Sequence, residues 1–159
     1  MVEPDLGRRT SDALVEAMSF HLHPQLAADC HLITRLDACD LLLMNDSRYP
    51  WCILVPRIEH LRDLHDIPRG RREAVMDEVD AVARALQQIH HADKINVAAL
   101  GNQVPQLHVH VIARHTTDEA WPGPVWGVGT PRAYEQEPAG RELRAIERAL
   151  AEQRKDSAL

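Results

Sequence analysis

Alternating polar and apolar residues predict a β-strand over residues 106–112. The order is Gln-Leu-His-Val-His-Val-Ile. Because a strand sends successive side chains to opposite faces, the polar side chains share one face and the apolar ones point into a core. The β-branched residues favour a strand over a helix. The pattern therefore places Gln106, His108 and His110 in a row on one surface of a sheet.

Four further apolar runs predict the other strands. They cover residues 31–36, 41–44, 51–55 and 94–100. Residues 45–50, Asn-Asp-Ser-Arg-Tyr-Pro, have the composition of a turn, since Asn, Asp and Ser bond to their own backbone. We therefore expect the second and third strands to pair as a hairpin.

Apolar residues at spacings of three and four predict a long helix over residues 71–91. Its apolar stripe consists of Val75, Met76, Val79, Val82, Leu86 and Ile89. We expect this amphipathic helix to lie across the sheet. A C-terminal helix is predicted at about 139–154, and Ser11 or Asp12 begins a short helix that ends near residue 20. Helices packed on an antiparallel sheet make the fold class α+β.

The length and composition fit a single domain. The chain has 159 residues, of which 45% are apolar and 26% charged, as is ordinary for a globular protein. No linker or change of composition divides it. We expect one domain over residues 1–159, with a core at about 25–128, an N-terminal extension over 1–24 and the C-terminal helix.

Charge and cysteine content narrow the class of partner and compartment. A formal net charge of −6 argues against nucleic acid as the main partner, because a protein that binds a nucleic-acid backbone needs a basic face. The sequence shows neither a signal segment nor an apolar run of the ~18 residues that span a bilayer. Cys30, Cys39 and Cys52 lack C-x-x-C spacing and are expected to be free thiols. We expect a cytoplasmic protein that binds no membrane.

Two loops near the histidine strand are candidates for ligand contact. Residues 101–105, Gly-Asn-Gln-Val-Pro, lead directly into the strand. Backbone N–H groups in such a bend bind anions, so Gly101, Asn102 and Gln103 are candidates for holding a phosphate. Residues 121–127 contain two tryptophans among Pro and Gly. These indoles either cover a ligand, meet a partner or pack over the loop's own core.

Imidazole beside a phosphate site suggests nucleophilic chemistry. Imidazole is a nucleophile near neutral pH, and it attacks through the nitrogen that lacks a proton. A backbone carbonyl that accepts from Nδ1–H would leave Nε2 free. His108 has polar neighbours on both sides of its face and fits the centre of such a site. Covalent catalysis would split one displacement at phosphorus into two.

These segments together resemble the histidine triad (HIT) superfamily, whose signature is His-φ-His-φ-His-φ-φ with φ apolar. Residues 106–112 match every position except the first, where Gln106 stands in place of histidine. Residues 40–56 resemble the family's paired strands that end in Val-Pro. Gly101 and Asn102 stand where the family has Gly-Gln or Gly-Asn. The chain is similar to bacterial HIT-like proteins over about residues 25–128.

The resemblance implies an activity and a role for each triad position. It implies a five-stranded antiparallel sheet and a nucleotide hydrolase or nucleotidyl transferase that acts at an α-phosphate. His108 takes the position of the nucleophile and forms a covalent nucleotidyl-histidine. His110 donates to a phosphoryl oxygen or helps to hold the tautomer of His108. Gln106 hydrogen-bonds but cannot shuttle a proton, because an amide does not titrate. Substrates would be of the diadenosine polyphosphate, phosphoramidate or adenylate type.

Further positions follow from the same resemblance. Asn45 and Asp46 take the place of the Asn or Asp that holds ribose hydroxyls in the family, and Asn96 is an additional pocket candidate. Trp51 replaces a histidine that faces the phosphates in many members. The resemblance also implies a homodimer and a small-molecule nucleotide as the partner, and we expect no cofactor.

Two other interpretations stay open. A non-catalytic nucleotide-binding module would keep the pocket and lack turnover, having lost the first histidine. A metal site on His108 and His110 would need a third ligand, for which Asp118 and Glu119 are the nearby acids. The long helix between strands speaks against the all-β barrels that carry such sites. Because no three or four ligands stand at metal spacing, we expect no bound metal.

Overall fold

A computed structural model describes residues 19–156 of the chain. Two 3₁₀ turns, Leu64–Asp66 and Arg69–Arg71, lie between the third strand and the long helix. Within the described residues, no helix is both long and apolar enough to cross a membrane. The main elements in chain order are α1 (Pro24–Asp29), β1 (Cys30–Arg35), β2 (Cys39–Met44), β3 (Trp51–Pro56), α2 (Arg72–His90), β4 (Lys94–Ala98), β5 (Val109–Arg114) and α3 (Gln136–Asp156).

The five strands form one antiparallel sheet in the order β1-β2-β3-β5-β4. The hairpin of β2 and β3 pairs Leu41 with Leu54, as the turn composition predicted. The strand that carries the histidines lies inside the sheet, between β3 and β4. These features confirm the predicted α+β class and its five-stranded sheet with packed helices.

The start of the histidine strand differs from the prediction. β5 begins at Val109, whereas the alternating pattern predicted a strand from residue 106. The amide of Leu107 donates to the carbonyl oxygen of Leu61 at 2.9 Å, so this residue bonds to the loop after β3 and not to a strand. Gln106 and His108 therefore lie in the connection that enters the strand, and of the three polar positions only His110 belongs to the strand itself.

The two faces of the sheet have different neighbours. On β3, Cys52 and Leu54 point to the core beneath the helices, while Trp51 and Ile53 point to a smaller apolar cluster on the opposite face. Ile53 is the register partner of His110, so His110 lies on this opposite face, away from α2 and α3. Strand alternation thus separates the packing surface from the surface that carries the histidines.

Both long helices are present as predicted, but their bounds and the exposure of one residue differ from the prediction. α2 buries Val75, Val79, Val82, Ala85 and Leu86. Met76, predicted in the same stripe, is 50% exposed, because its position on the helix turns it away from the sheet. α3 runs from Gln136 to Asp156 and is longer than the predicted 139–154. Pro138 does not prevent the earlier start, since proline is tolerated in the first turn. Most of the helix predicted at 11–20 lies outside the described residues.

A buried arginine at the end of β5 holds the loop that follows it. The Arg114 guanidinium bonds to both carboxylate oxygens of Asp118 at 2.8 and 2.9 Å. It also donates to Oδ1 of Asn96 at 2.8 Å and to the carbonyl oxygen of Gly123 at 2.9 Å. Its side chain is only 1% exposed, so these contacts replace its hydration. The network therefore holds the chain segment that follows β5, from Asp118 to Gly123.

We expect Arg114→Met to destabilise the protein by roughly 3–5 kcal/mol, because it leaves the Asp118 carboxylate buried without its partner. Urea denaturation measures the change. Arg84→Met is the matched control: Arg84 forms an exposed pair with Asp80, and its loss should leave the free energy of unfolding nearly unchanged. Equal effects of the two substitutions would contradict this assignment.

Candidate active site

A cavity of about 390 Å³ lies on the face of the sheet opposite α2 and α3. Both histidines contribute to its wall, together with α1, the end of β2, the middle of β3 and two loops. The lining residues are Leu26, Asp29, Met44, Ile53, Leu100, Gly101, Asn102, Gln103, Val104, His108, His110, Trp126 and Gly127. Two other cavities, of about 330 and 300 Å³, lie beside α3, and neither contains a histidine or cysteine.

A single backbone contact defines the tautomer of His108. Its Nδ1 lies 2.6 Å from the carbonyl oxygen of Gln106. A carbonyl oxygen only accepts hydrogen bonds, so the proton of the ring must be on Nδ1. In the neutral ring Nε2 then carries the lone pair, and among the described residues it has no internal partner. His108 lines the cavity, and this tautomer leaves one of its ring nitrogens without a proton.

The neighbouring histidine has the opposite tautomer. The indole Nε1–H of Trp51 donates to Nδ1 of His110 at 2.9 Å. Indole only donates, so Nδ1 of His110 must be an acceptor and the proton is on Nε2. Trp51 and His110 are 5% and 3% exposed. Burial, and secondly the nearby His108, lowers the pKa of His110 to about 3, so this ring is neutral near pH 7.

Aromatic rings surround His110 on two sides. The centroid of its ring is 5.6 Å from that of Trp51 and 5.1 Å from that of Trp126. The two indoles contact each other edge to face at 5.7 Å. One of the two tryptophans predicted to be in a loop thus lines the cavity, while the other, Trp121, packs near the Arg114 guanidinium. Rigid rings on both sides limit the positions that the imidazole can occupy.

The bend before the histidines forms part of the cavity wall. Gly101, Asn102 and Gln103 line the cavity, and their contact with a phosphate stays a prediction. Within residues 19–156, no backbone amide of residues 101–104 donates an internal hydrogen bond. These N–H groups are therefore available to an anion, which is the property expected of a phosphate-binding loop.

Gln106 does not join the cavity through its side chain. Its Oε1 accepts from the amide of His23 at 2.8 Å, and its Nε2 donates to the carbonyl oxygen of His21 at 2.9 Å. The side chain thereby holds the N-terminal segment that leads into α1. The Gln106 side chain does not line the cavity with the two histidines, because it is engaged with residues 21 and 23, and a role for it in the reaction stays a prediction. It is the backbone carbonyl of Gln106 that contacts Nδ1 of His108.

Three predicted nucleotide contacts lie outside the cavity lining. Oδ1 of Asn45 accepts from the amide of Tyr134 at 2.9 Å, and the buried Asp46 pairs with Arg48 at 2.7 Å. Asn96 bonds to Arg114, as described above. The structure does not bring these side chains to the histidines, because each supports a nearby loop or strand. Their contact with nucleotide stays a prediction without support from this geometry.

Among the cavity residues that the sequence pattern did not reveal, Leu26 and Asp29 lie on α1, a helix that was not predicted. The signal for this helix was available. Pro24 stands in its first turn, and the side chain of His23 caps it by accepting from the amide of Gln25. Oδ2 of Asp29 accepts from the side chain of Gln25 at 2.9 Å. Asp29 is therefore a carboxylate on the wall of the cavity.

The donors near the histidines do not fit a metal site. Zinc binds the lone pair of an imidazole nitrogen, but Nε2 of His110 carries a proton and its Nδ1 is occupied by Trp51. The proposed third ligands are also engaged, Asp118 with Arg114 and Glu119 with Arg48. The one group of three ligand atoms found within residues 19–156 is an exposed set on the surface, Asp63, His65 and Asp66.

Comparison with protein families identifies the class. The HIT domain family matches residues 25–117, more than half of the chain. A histidine triad protein from Bradyrhizobium japonicum is 42% identical, with a TM-score of 0.81, over 82% of this chain and 98% of its own. The protein belongs to the HIT family.

Two further solved structures support this membership. A histidine triad (HIT) protein from Sinorhizobium meliloti is 38% identical, with a TM-score of 0.82, over 84% of this chain and 98% of its own. A histidine triad protein from Marinobacter aquaeolei is 42% identical, with a TM-score of 0.81, over 84% and 97%. No curated protein matches the sequence.

We expect acid to destabilise the wild type more than His110→Gln. Unfolded, His110 takes up a proton as the pH falls through its ordinary value near 6.5, whereas in the folded state it stays neutral down to about pH 3. The unfolded state then binds more protons, so stability falls with falling pH. Between pH 7 and pH 5.5 the additional loss should be about 1 kcal/mol, measured by urea denaturation. His65→Gln, at an exposed position, should keep the wild-type dependence.

Proposed function

We propose that the protein is a nucleotide hydrolase or nucleotidyl transferase that acts at an α-phosphate through a covalent nucleotidyl-His108. Membership of the HIT family supports nucleotide-directed chemistry in general. The covalent mechanism is supported by the contact between Nδ1 of His108 and the carbonyl oxygen of Gln106. This contact leaves the lone pair of Nε2 free at the cavity. Substrates would be of the diadenosine polyphosphate, phosphoramidate or adenylate type.

The lining residues suggest how the substrate binds. The free N–H groups of residues 101–104 would donate to oxygens of the α-phosphate, and the Nε2–H of His110 would donate to one of these oxygens. Leu26, Met44 and Ile53 give the cavity an apolar side suited to a nucleobase. The phosphate would then lie within reach of His108 while the base packs against α1 and the sheet.

The reaction would proceed in two displacements. Nε2 of His108 attacks the α-phosphorus, the bond to the leaving group breaks, and the leaving group takes the electron pair. The imidazole becomes cationic, and the carbonyl oxygen of Gln106 stabilises its Nδ1–H. Water or another acceptor then attacks phosphorus, and the electron pair of the P–N bond returns to His108.

His108→Ala is expected to lower kcat by several orders of magnitude while AMP still binds, because the loop and the apolar wall remain. The measurement is AMP release from a panel of adenylylated compounds, with and without EDTA, together with trapping of acid-labile nucleotide on the protein. Wild type should trap nucleotide and His108→Ala should not. His65→Ala, at an exposed histidine, is the matched control.

Three outcomes would redirect the proposal. Comparable turnover by His108→Ala would refute the covalent mechanism. Tight AMP binding by a wild type that turns over nothing in the panel would favour the non-catalytic binding module. Activity that EDTA abolishes and zinc restores would favour the metal site.

Gln106→Ala should keep most activity, since the backbone carbonyl that orients His108 remains.

We also propose a cytoplasmic homodimer. The free thiols of Cys30, Cys39 and Cys52 suit a reducing compartment. β4 is an edge strand, Val97 on it is 49% exposed, and Leu100 beyond it is 36% exposed. An edge strand with exposed apolar side chains is suited to pairing with a second sheet. Light scattering after gel filtration should give twice the monomer mass, and Val97→Lys should shift it towards monomer; a monomeric wild type would contradict the proposal.

A further inference from the structure

Among residues 19–156, no side chain that lines the cavity is arranged to release a proton to a leaving group. The titratable lining groups within residues 19–156 are Asp29, His108 and His110. Asp29 is on α1, and its Oδ2 is occupied as the acceptor of the Gln25 side chain. The Nδ1 proton of His108 is held by the backbone. From β3, β4 and the loop with Trp126, no further titratable group lines the cavity.

His110 is the remaining candidate for a general acid, and Trp51 prevents this role. A histidine that protonates a leaving group must first be an imidazolium with protons on both nitrogens. Protonation of Nδ1 would place its N–H against the indole N–H, 2.9 Å away, and break the hydrogen bond between two buried rings. Neutral His110 can donate a hydrogen bond through Nε2 but cannot give up that proton without becoming an anion.

We propose that Trp51 is a positioning residue that fixes His110 as a neutral hydrogen-bond donor and thereby restricts the site to leaving groups that depart as anions. The inference rests on the proposed function and selects among its substrates. Phosphoric anhydrides release a phosphate oxygen and acyl adenylates a carboxylate, both stable as anions. A phosphoramidate releases an amine, whose nitrogen must be protonated when the P–N bond breaks. The site is thus specific for nucleotide anhydrides.

Both displacements balance in atoms and electrons without a side chain that gives a proton to the leaving group. In the first displacement, the bond from Nε2 of His108 to phosphorus forms, the bridging P–O bond breaks, and the leaving oxygen keeps the electron pair. In the second, a water oxygen bonds to phosphorus and the electron pair of the P–N bond returns to Nε2. The two protons of this water end on AMP or in solvent. The net reaction consumes one anhydride and one water and releases AMP and the acid of the leaving group.

The first experiment reads the tautomer directly and needs no variant activity. Long-range ¹H–¹⁵N correlation spectra of the full-length wild type, with His110 assigned from His110→Gln, should show a protonated Nε2 and an unprotonated Nδ1 from pH 8 to pH 5. Trp51→Phe removes the indole donor and should give a mixture of tautomers. A wild-type His110 that is protonated on Nδ1, or that titrates near pH 6.5, would overturn the inference.

The second experiment compares two substrates that share AMP and differ in the leaving group. We expect wild-type kcat/KM for diadenosine tetraphosphate to exceed that for adenosine 5′-phosphoramidate by about 10²–10⁴, the usual contribution of general acid catalysis. Trp51→His supplies a titratable partner for His110 and should lower this ratio about tenfold or more. Trp121→Phe, outside the cavity lining, is the control and should leave the ratio unchanged.

The outcomes separate this inference from the proposed function. Similar kcat/KM values for both substrates in the wild type, or an unchanged ratio in a folded Trp51→His, would overturn the inference while nucleotidyl-His108 still forms. No turnover and no trapped nucleotide with any substrate would refute the proposed function, and the leaving-group preference with it. The wild-type ratio and spectra decide the matter even where a Trp51 variant does not fold.

Discussion

The hydrogen bond between Nδ1 of His108 and the carbonyl oxygen of Gln106 is the contact on which the chemistry of the site depends. It is a backbone contact, so it depends on the path of the chain just before β5 and not on the side chain at position 106. That path is held by the hydrogen bond from Leu107 to Leu61. It is also held by the side chain of Gln106, which hydrogen-bonds to the backbone of residues 21 and 23. Because the carbonyl has no proton to give, it selects one tautomer for His108.

The second histidine obtains its tautomer from a different kind of partner. Trp51 lies on β3, next to β5, and a buried indole N–H is a donor at every pH. The two imidazoles, with ring centroids 4.9 Å apart, therefore hold their protons on different nitrogens. One ring offers a lone pair to the cavity and the other offers a proton. The two histidines therefore differ in chemistry because the Nδ1 of one contacts a carbonyl oxygen and the Nδ1 of the other accepts from an indole N–H.

Ion pairs away from the cavity keep its walls in place. Arg114 fixes the chain after β5 through Asp118 and Gly123. Arg48 joins Asp46 to the carbonyl oxygen of Val128, beyond Trp126. Both arginines are nearly fully buried, which is costly unless every charge is paired. Asn45, Asp46 and Asn96 are occupied in this support, which explains why chemically suitable residues for a nucleotide lie outside the cavity.

The sequence by itself determined the sheet, the long helix and the position of the 101–103 bend next to His108 and His110, because local periodicity and turn chemistry decide these features within a few residues. It could not determine where β5 begins, since Leu107 pairs with a loop 46 positions earlier in the chain. Nor could it show that Trp51 meets His110, that Gln106 turns to the N-terminal segment, or that α1 supplies Leu26 and Asp29. Each of these depends on contacts between residues far apart in sequence, which only the packing of the folded chain brings together.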